Sequence, residues 1–206
     1  MKLLSKATSV FNILILVCYV VFFAKTANSQ ADWYQWRGPN RDGVSTEKGG
    51  LSVWREDEPK VLWETSVGTG YSSMSISNGR LYTLGNSEKQ DTVYCLDVNT
   101  GDVIWKYSYP CEAKGEGYPG PASTPTIDSN KVYTFSREGD LFCFSVESGE
   151  VIWAQNVIDL GAKSPQWGFT SSPLVLDKMV IVDAGRTLAL DKSDGSLIWK
   201  TNKDYA

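Results

Sequence analysis

From Tyr71 onward, apolar and polar residues alternate in short runs separated by Gly, Asn, Asp and Ser. RLYTLG, TVYCLD and KVYTFS show the pattern most clearly. A period of two places successive side chains on opposite faces, which is the signature of a β-strand. The runs come in groups of four. YSSMSIS, RLYTLG, TVYCLD and VIWKYS span about 71–107. ASTPTID, KVYTFS, DLFCFSV and VIWAQNV span about 122–157, and FTSSPLVL, KMVIVDA, TLALD and LIWKT about 169–202. Asn78-Gly79 reads as a two-residue hairpin turn. Pro125 and Pro173 stand at corresponding places in the first run of their groups. Proline donates no ladder hydrogen bond, so each first run is expected at a sheet edge. The chain is predicted to be all-β, built of four-stranded antiparallel sheets.

The last two strands of each group carry one repeated phrase. It reads CLDVNTGDVIW from Cys95 to Trp105, CFSVESGEVIW from Cys143 to Trp153, and ALDKSDGSLIW from Ala189 to Trp199. The Trp residues are 48 and 46 positions apart, and Trp63 lies 42 positions before Trp105. That period is the length of one four-stranded propeller blade. Each copy reads as strand, tight turn, strand. Gly101, Gly149 and Gly195 hold one place in the turn, which implies a positive φ where a Cβ would clash. The Trp that follows is expected to pack on the neighbouring blade, burying roughly 150–250 Å². These Trp residues are thus read as core rather than as ligand contacts.

The phrase resembles the tryptophan-docking motif of pyrroloquinoline-quinone-type (PQQ-like) propeller repeats, Ala-x-Asp-x-x-Thr-Gly-x-x-x-Trp. The first copy matches at Asp97, Thr100, Gly101 and Trp105; the second keeps Gly149 and Trp153; the third keeps Ala189, Asp191, Gly195 and Trp199. The resemblance covers about Lys60 to the end. WYQWRGPNRDGVS, from Trp33 to Ser45, is also similar to the start of envelope proteins with such repeats. WD40 repeats fit less well, since they usually carry a Gly-His pair and this chain has no His. Residues 31–59 read as an irregular lead-in and 60–206 as a partial propeller. The strand expected at 60–66 is placed to complete the last blade. About three blades are present, which cannot close a ring, so a longer protein of seven or eight blades is expected.

Residues 1–30 stand apart. Lys2 and Lys6 precede an apolar run from Val10 to Ala24, and small and polar residues follow. This is the order of a secretory signal peptide, with an uncleaved membrane anchor as the alternative. The protein is therefore expected to be exported, to the periplasm or beyond. Loss of the segment removes Lys2, Lys6 and Lys25, leaving 17 basic against 24 acidic residues, and takes the formal charge from −4 to about −7. An acidic chain without a basic run argues against nucleic acid as a partner. Membrane contact is expected only through the N-terminal segment, if it is kept. Cys95 and Cys143 hold equivalent positions in adjacent blades and read as small buried residues where the third copy has Ala189. Cys111 falls in a loop and is open to pairing with a thiol elsewhere.

The absence of His removes His-based metal sites, a Ser-His-Asp triad and haem attachment through Cys-x-x-Cys-His. No phosphate-binding loop or dinucleotide fingerprint is present. Binding chemistry is expected in the connections SYPCEAKGEGYPGP and VIDLGAKSPQWG, on the blade-to-blade face. Glu116, Tyr118, Lys163 and Trp167 are the candidates. Long loops on a rigid scaffold are where binding surfaces form, although the same composition suits loops that only shield blade ends. The resemblance implies one of two functions. The first is a non-catalytic envelope scaffold that binds a protein or small ligand and needs no cofactor. The second is a quinoprotein dehydrogenase for alcohols or aldoses, with pyrroloquinoline quinone, Ca²⁺ and an Asp base. For the latter, the adjacent Cys pair of well-known members is missing, and no catalytic or metal-ligating residue can be assigned here.

Overall fold

The alternating runs form twelve strands among the described residues, which in this computed structural model are 32–48, 60–112 and 119–202. All belong to one compact unit, Ala31–Ala206. The N-terminal apolar run, Glu116 and Tyr118 lie outside the described residues. The first sheet contains β1 (Ser75–Ser77), β2 (Arg80–Ser87), β3 (Gln90–Asp97) and β4 (Val103–Pro110). The second contains β5 (Thr126–Asp128), β6 (Lys131–Phe135), β7 (Asp140–Ser145) and β8 (Val151–Asn156). The third contains β9 (Leu174–Leu176), β10 (Met179–Asp183), β11 (Thr187–Asp191) and β12 (Leu197–Lys200). In each sheet the strands lie in chain order, and each neighbour is antiparallel. Strand β1 packs beside β5, and β5 beside β9, so the first strand of each sheet faces the axis. This is propeller architecture.

Register repeats from blade to blade. Cys95 pairs with Trp105, Cys143 with Trp153 and Ala189 with Trp199, and the ladder shifts immediately afterwards in all three. On the other side the same residues pair with Tyr82, Tyr133 and Ile181. Where the blade carries Cys it also carries Tyr, and where it carries Ala it carries Ile. The core lies between blades rather than within one. Tyr82, Val93, Cys95 and Trp105 of the first blade pack with Val132, Phe142 and Phe144 of the second. Tyr133, Leu141, Cys143 and Trp153 of the second pack with Val180, Val182, Leu188 and Leu190 of the third.

Two expectations require correction. The inner strands are much shorter than the runs suggested: Pro125 and Pro173 directly precede β5 and β9 instead of lying within them. Upstream of each proline, hydroxyl groups bond blade to blade. The Ser72 hydroxyl donates to the Ser123 carbonyl (2.8 Å), and the Thr124 amide donates to the Ser172 hydroxyl (2.9 Å). A β-sheet ladder is replaced there by a circumferential seam. Lys60–Ser66 forms no ladder among the described residues. Its Trp63 nevertheless lies on the turn of the first blade, where the outer strand of a preceding blade would put it.

The lead-in is irregular, as expected, but it is not peripheral. Trp33 forms an antiparallel bridge with Ile76 of β1, and the Tyr34 carbonyl accepts the Ile127 amide of β5 (2.8 Å). The Asp32 carboxylate accepts the Ser77 hydroxyl (2.8 Å) and the Asn78 amide (3.0 Å). The segment therefore crosses the axial edges of two blades.

Candidate binding surface

The repeated turn is built by its own acid. Asp97 accepts the Asn99 and Thr100 amides at 2.8 and 3.1 Å, and Asp191 accepts the Ser193 amide at 2.8 Å. The Ser193 hydroxyl and amide hold the Asp191 carboxyl below its ordinary range. The second copy has Ser145, whose hydroxyl accepts the Ser148 amide (3.3 Å). All three turn glycines have φ between 71° and 77°. An indole rests on each of them, from the segment before the first blade at Gly101 and from the preceding blade at Gly149 and Gly195. A Cβ at Gly101 would fall 2.4 Å from Trp63, at Gly149 2.6 Å from Trp105, and at Gly195 2.7 Å from Trp153. The indole N–H then donates to the carbonyl three residues before that glycine: Trp63 to Val98 (3.1 Å), Trp105 to Val146 (2.9 Å) and Trp153 to Lys192 (3.2 Å).

A cation at the start of the second strand donates to two of these carbonyls. Arg80 reaches Val146 at 2.6 Å and Lys131 reaches Lys192 at 3.0 Å. Arg80 also pairs with the Glu147 carboxylate, and Lys192 with Asp128. These cations were not singled out in the sequence. Only the two-blade alignment of Arg80 with Lys131 would have drawn attention to them. Trp199 differs from its counterparts: it is 41% exposed, against 8% for Trp105 and 7% for Trp153, and no turn receives it among the described residues.

The blade-to-blade face carries the other candidates. Trp167 is half-exposed, and so is Tyr71. Together with Ala122, Arg137 and Thr170 they line a cavity of about 280 Å³. Tyr71, Ala122 and Thr170 each lie just upstream of a blade's inner strand, so this cavity opens at the axial mouth. A second cavity of about 330 Å³ lies on the other flank of Trp167, lined by Phe169, Ser171, Asp183 and Gly185 among others. Arg137 is buried and positions Trp167. Its guanidinium donates to the Gly120 carbonyl (3.4 Å) and to the Trp167 carbonyl, bridging the two blade connections. Lys163 is exposed on the same connection as Trp167. Cys111 is buried in the core between the first two blades, and no described cysteine forms a disulfide.

Among the described residues no three His, Cys, Asp or Glu side chains converge closely enough to hold a metal ion. The Asp140 carboxylate is engaged locally, accepting from the Ser136 hydroxyl (3.1 Å) and the Asn156 side-chain amide (2.8 Å).

Residues 113–205 match the family described as outer membrane protein assembly factor BamB. A curated relative, the outer membrane protein assembly factor BamB of Yersinia pestis, is 28% identical over 161 residues, covering 74% of this chain and 39% of the relative. Quinohemoprotein alcohol dehydrogenase from Comamonas testosteroni superposes with a TM-score of 0.66 at 19% identity, over 87% of this chain and 28% of its own. A europium-containing methanol dehydrogenase superposes with a TM-score of 0.55 at 16% identity, over 69% and 27%. At those identities the two structural likenesses show the fold alone. The chain spans well under half the length of each of these proteins.

Proposed function

We propose that this chain, a PQQ-like β-propeller repeat protein, is exported and serves in the cell envelope as a non-catalytic scaffold that binds a protein partner. The observation that carries this reading is the sequence likeness to an outer membrane protein assembly factor. The likeness to the two dehydrogenases is one of fold. The repeat residues support the same reading. Asp97 and Asp191 shape their own turns, and the turn glycines with Trp63, Trp105 and Trp153 dock one element on the next. What they build is a rigid platform, on which the blade-to-blade face presents Trp167, Tyr71 and Lys163. Exposed aromatics beside a cavity, on loops held by a buried arginine, suit a protein contact. In this organisation residues 1–30 direct export, 31–59 lead in, and 60–206 form propeller. Neither a cofactor nor nucleic acid takes part.

The test is site-specific photo-crosslinking from positions 163 and 167 in the native cell, combined with fractionation. Recovery in the envelope fraction, with adducts to an outer-membrane assembly protein that position 104 on the perimeter does not give, is expected. Dye-linked alcohol oxidation after reconstitution with pyrroloquinoline quinone and Ca²⁺ would instead establish the dehydrogenase reading.

A further inference from the structure

The lead-in loop, Gln35 to Gly43, is tightly organised. The Gly38 amide donates to Gln35 (3.0 Å), the Arg41 amide to Gly38 (3.1 Å) and the Gly43 amide to Arg37 (3.0 Å). Arg37 and Arg41 both have left-handed backbones, with φ of 62° and 58°. Non-glycine residues seldom adopt that conformation; elsewhere in this chain it occurs in hairpin turns, as at Asn78, Ser129 and Asp177. Gln35 is buried, at 6% exposure, and its amide orientation is fixed. Its Nε2 donates to the Gly38 and Pro39 carbonyls at 3.1 and 3.0 Å. Its Oε1 must therefore accept, and it takes both Nε and Nη2 of Arg41, at 3.1 and 3.0 Å.

That pairing leaves a defined donor set free. A guanidinium has five N–H groups in a planar fork. Gln35 occupies the Nε/Nη2 edge, so the end-on Nη1/Nη2 edge has two parallel N–H groups with no acceptor among the described residues. Among the described residues no carboxylate lies within ion-pair distance of Arg41, although the chain is acidic. Arg41 stands between two cavities. One, of about 220 Å³ and mostly apolar, is lined by Gln35, Trp36, Arg41, Ser172, Pro173 and Leu174. The other, of about 330 Å³, is mostly polar and includes Asn40, Thr126 and Asp128. The Asp128 carboxylate is already paired with Lys192 at 2.8 Å. Trp36 is 54% exposed.

We propose that Arg41, held in place by Gln35, is the anion-binding group of an axial site for a carboxylate ligand whose apolar part rests against Trp36, Pro173 and Leu174. A planar oxyanion matches the free edge of the guanidinium with two parallel hydrogen bonds. The carboxylate belongs either to a free small acid or to the C-terminus of a peptide. This site is distinct from the blade-to-blade face, so its loss would leave the scaffold reading intact.

The test is calorimetric titration of the native protein at low ionic strength with phenylacetate, with phenylacetamide, and with a tetrapeptide ending in Phe as free acid or amide. Phenylacetate is expected to bind, and phenylacetamide at least about tenfold more weakly, since a hydrogen bond to a charged group is lost. Arg41→Gln, confirmed by circular dichroism to be folded at the titration temperature, should lower phenylacetate affinity by about tenfold or more. Tighter binding of the free-acid peptide than of phenylacetate identifies a chain terminus as the ligand; the reverse identifies a small acid. Equal binding of acid and amide, no binding of either acid, or full affinity in Arg41→Gln would overturn the proposal.

Discussion

One glycine and one indole set the geometry of each blade junction. Gly149 combines a φ of 71° with a ring lying where its Cβ would project. Gly149→Ala is therefore expected to destabilise the protein by about 1–3 kcal/mol through backbone strain alone, and by more through overpacking. Urea unfolding monitored by circular dichroism would measure it. The thiols make a second residue-scale case. Burial pushes Cys95 and Cys143 up to about 11, so neither is a thiolate near neutral pH. Native protein at pH 8 should leave both unlabelled by iodoacetamide, and denatured protein should label both; rapid native labelling would show that the blade interface opens. The turn glycines and Trp positions were legible because they repeat in sequence. The carbonyls of Val98, Val146 and Lys192 were not, since any residue supplies a carbonyl and only geometry selects which one receives the indole.

At the scale of elements, the hydrophobic pattern located the second, third and fourth strands of each blade well. It overextended the first. Ser72, Ser123, Thr124 and Ser172 alternate like strand residues, but their side chains serve the seam between blades instead of a ladder. Lys60–Ser66 has a strand's composition without a ladder partner among the described residues. Strand β3 carries a buried acid, Asp91, which accepts the Asn86 amide (2.7 Å) and lies 3.5 Å from the Tyr109 hydroxyl. Burial raises its pKa above 3.8 despite those hydrogen bonds. The folded chain therefore binds this proton more tightly than the unfolded chain. Its contribution to stability is greatest below about 3.8 and falls as pH rises through the raised value. Asparagine does not titrate, so the stability of the natural protein relative to Asp91→Asn should decline over that window in paired urea titrations. A pH-independent difference would contradict the burial argument. The outer strands yield a comparison. Trp153→Ala removes a buried indole and should cost about 3–5 kcal/mol, whereas Trp199→Ala, at an exposed ring, should cost markedly less in the same assay.

At the scale of the whole molecule, the three sheets cohere because each of the first two blades lends its indole and a basic side chain to the next. The propeller was legible from period and motif together. The position of the lead-in was not. WYQWRGPNRDGVS has no periodicity to indicate a partner, and its contacts with β1 and β5 are made largely by backbone groups. The same limit applies to Arg137, whose burial between two connections leaves no trace in composition. The central claim, that indole and glycine turn form one docking unit, is tested most directly by a double-mutant cycle. Trp105→Ala, Gly149→Ala and the double variant would be compared for unfolding free energy. The ring that an added Cβ would strike is absent in the Trp105→Ala background, so Gly149→Ala should cost less there, with a coupling of about 1–3 kcal/mol. Strict additivity would contradict the docking account.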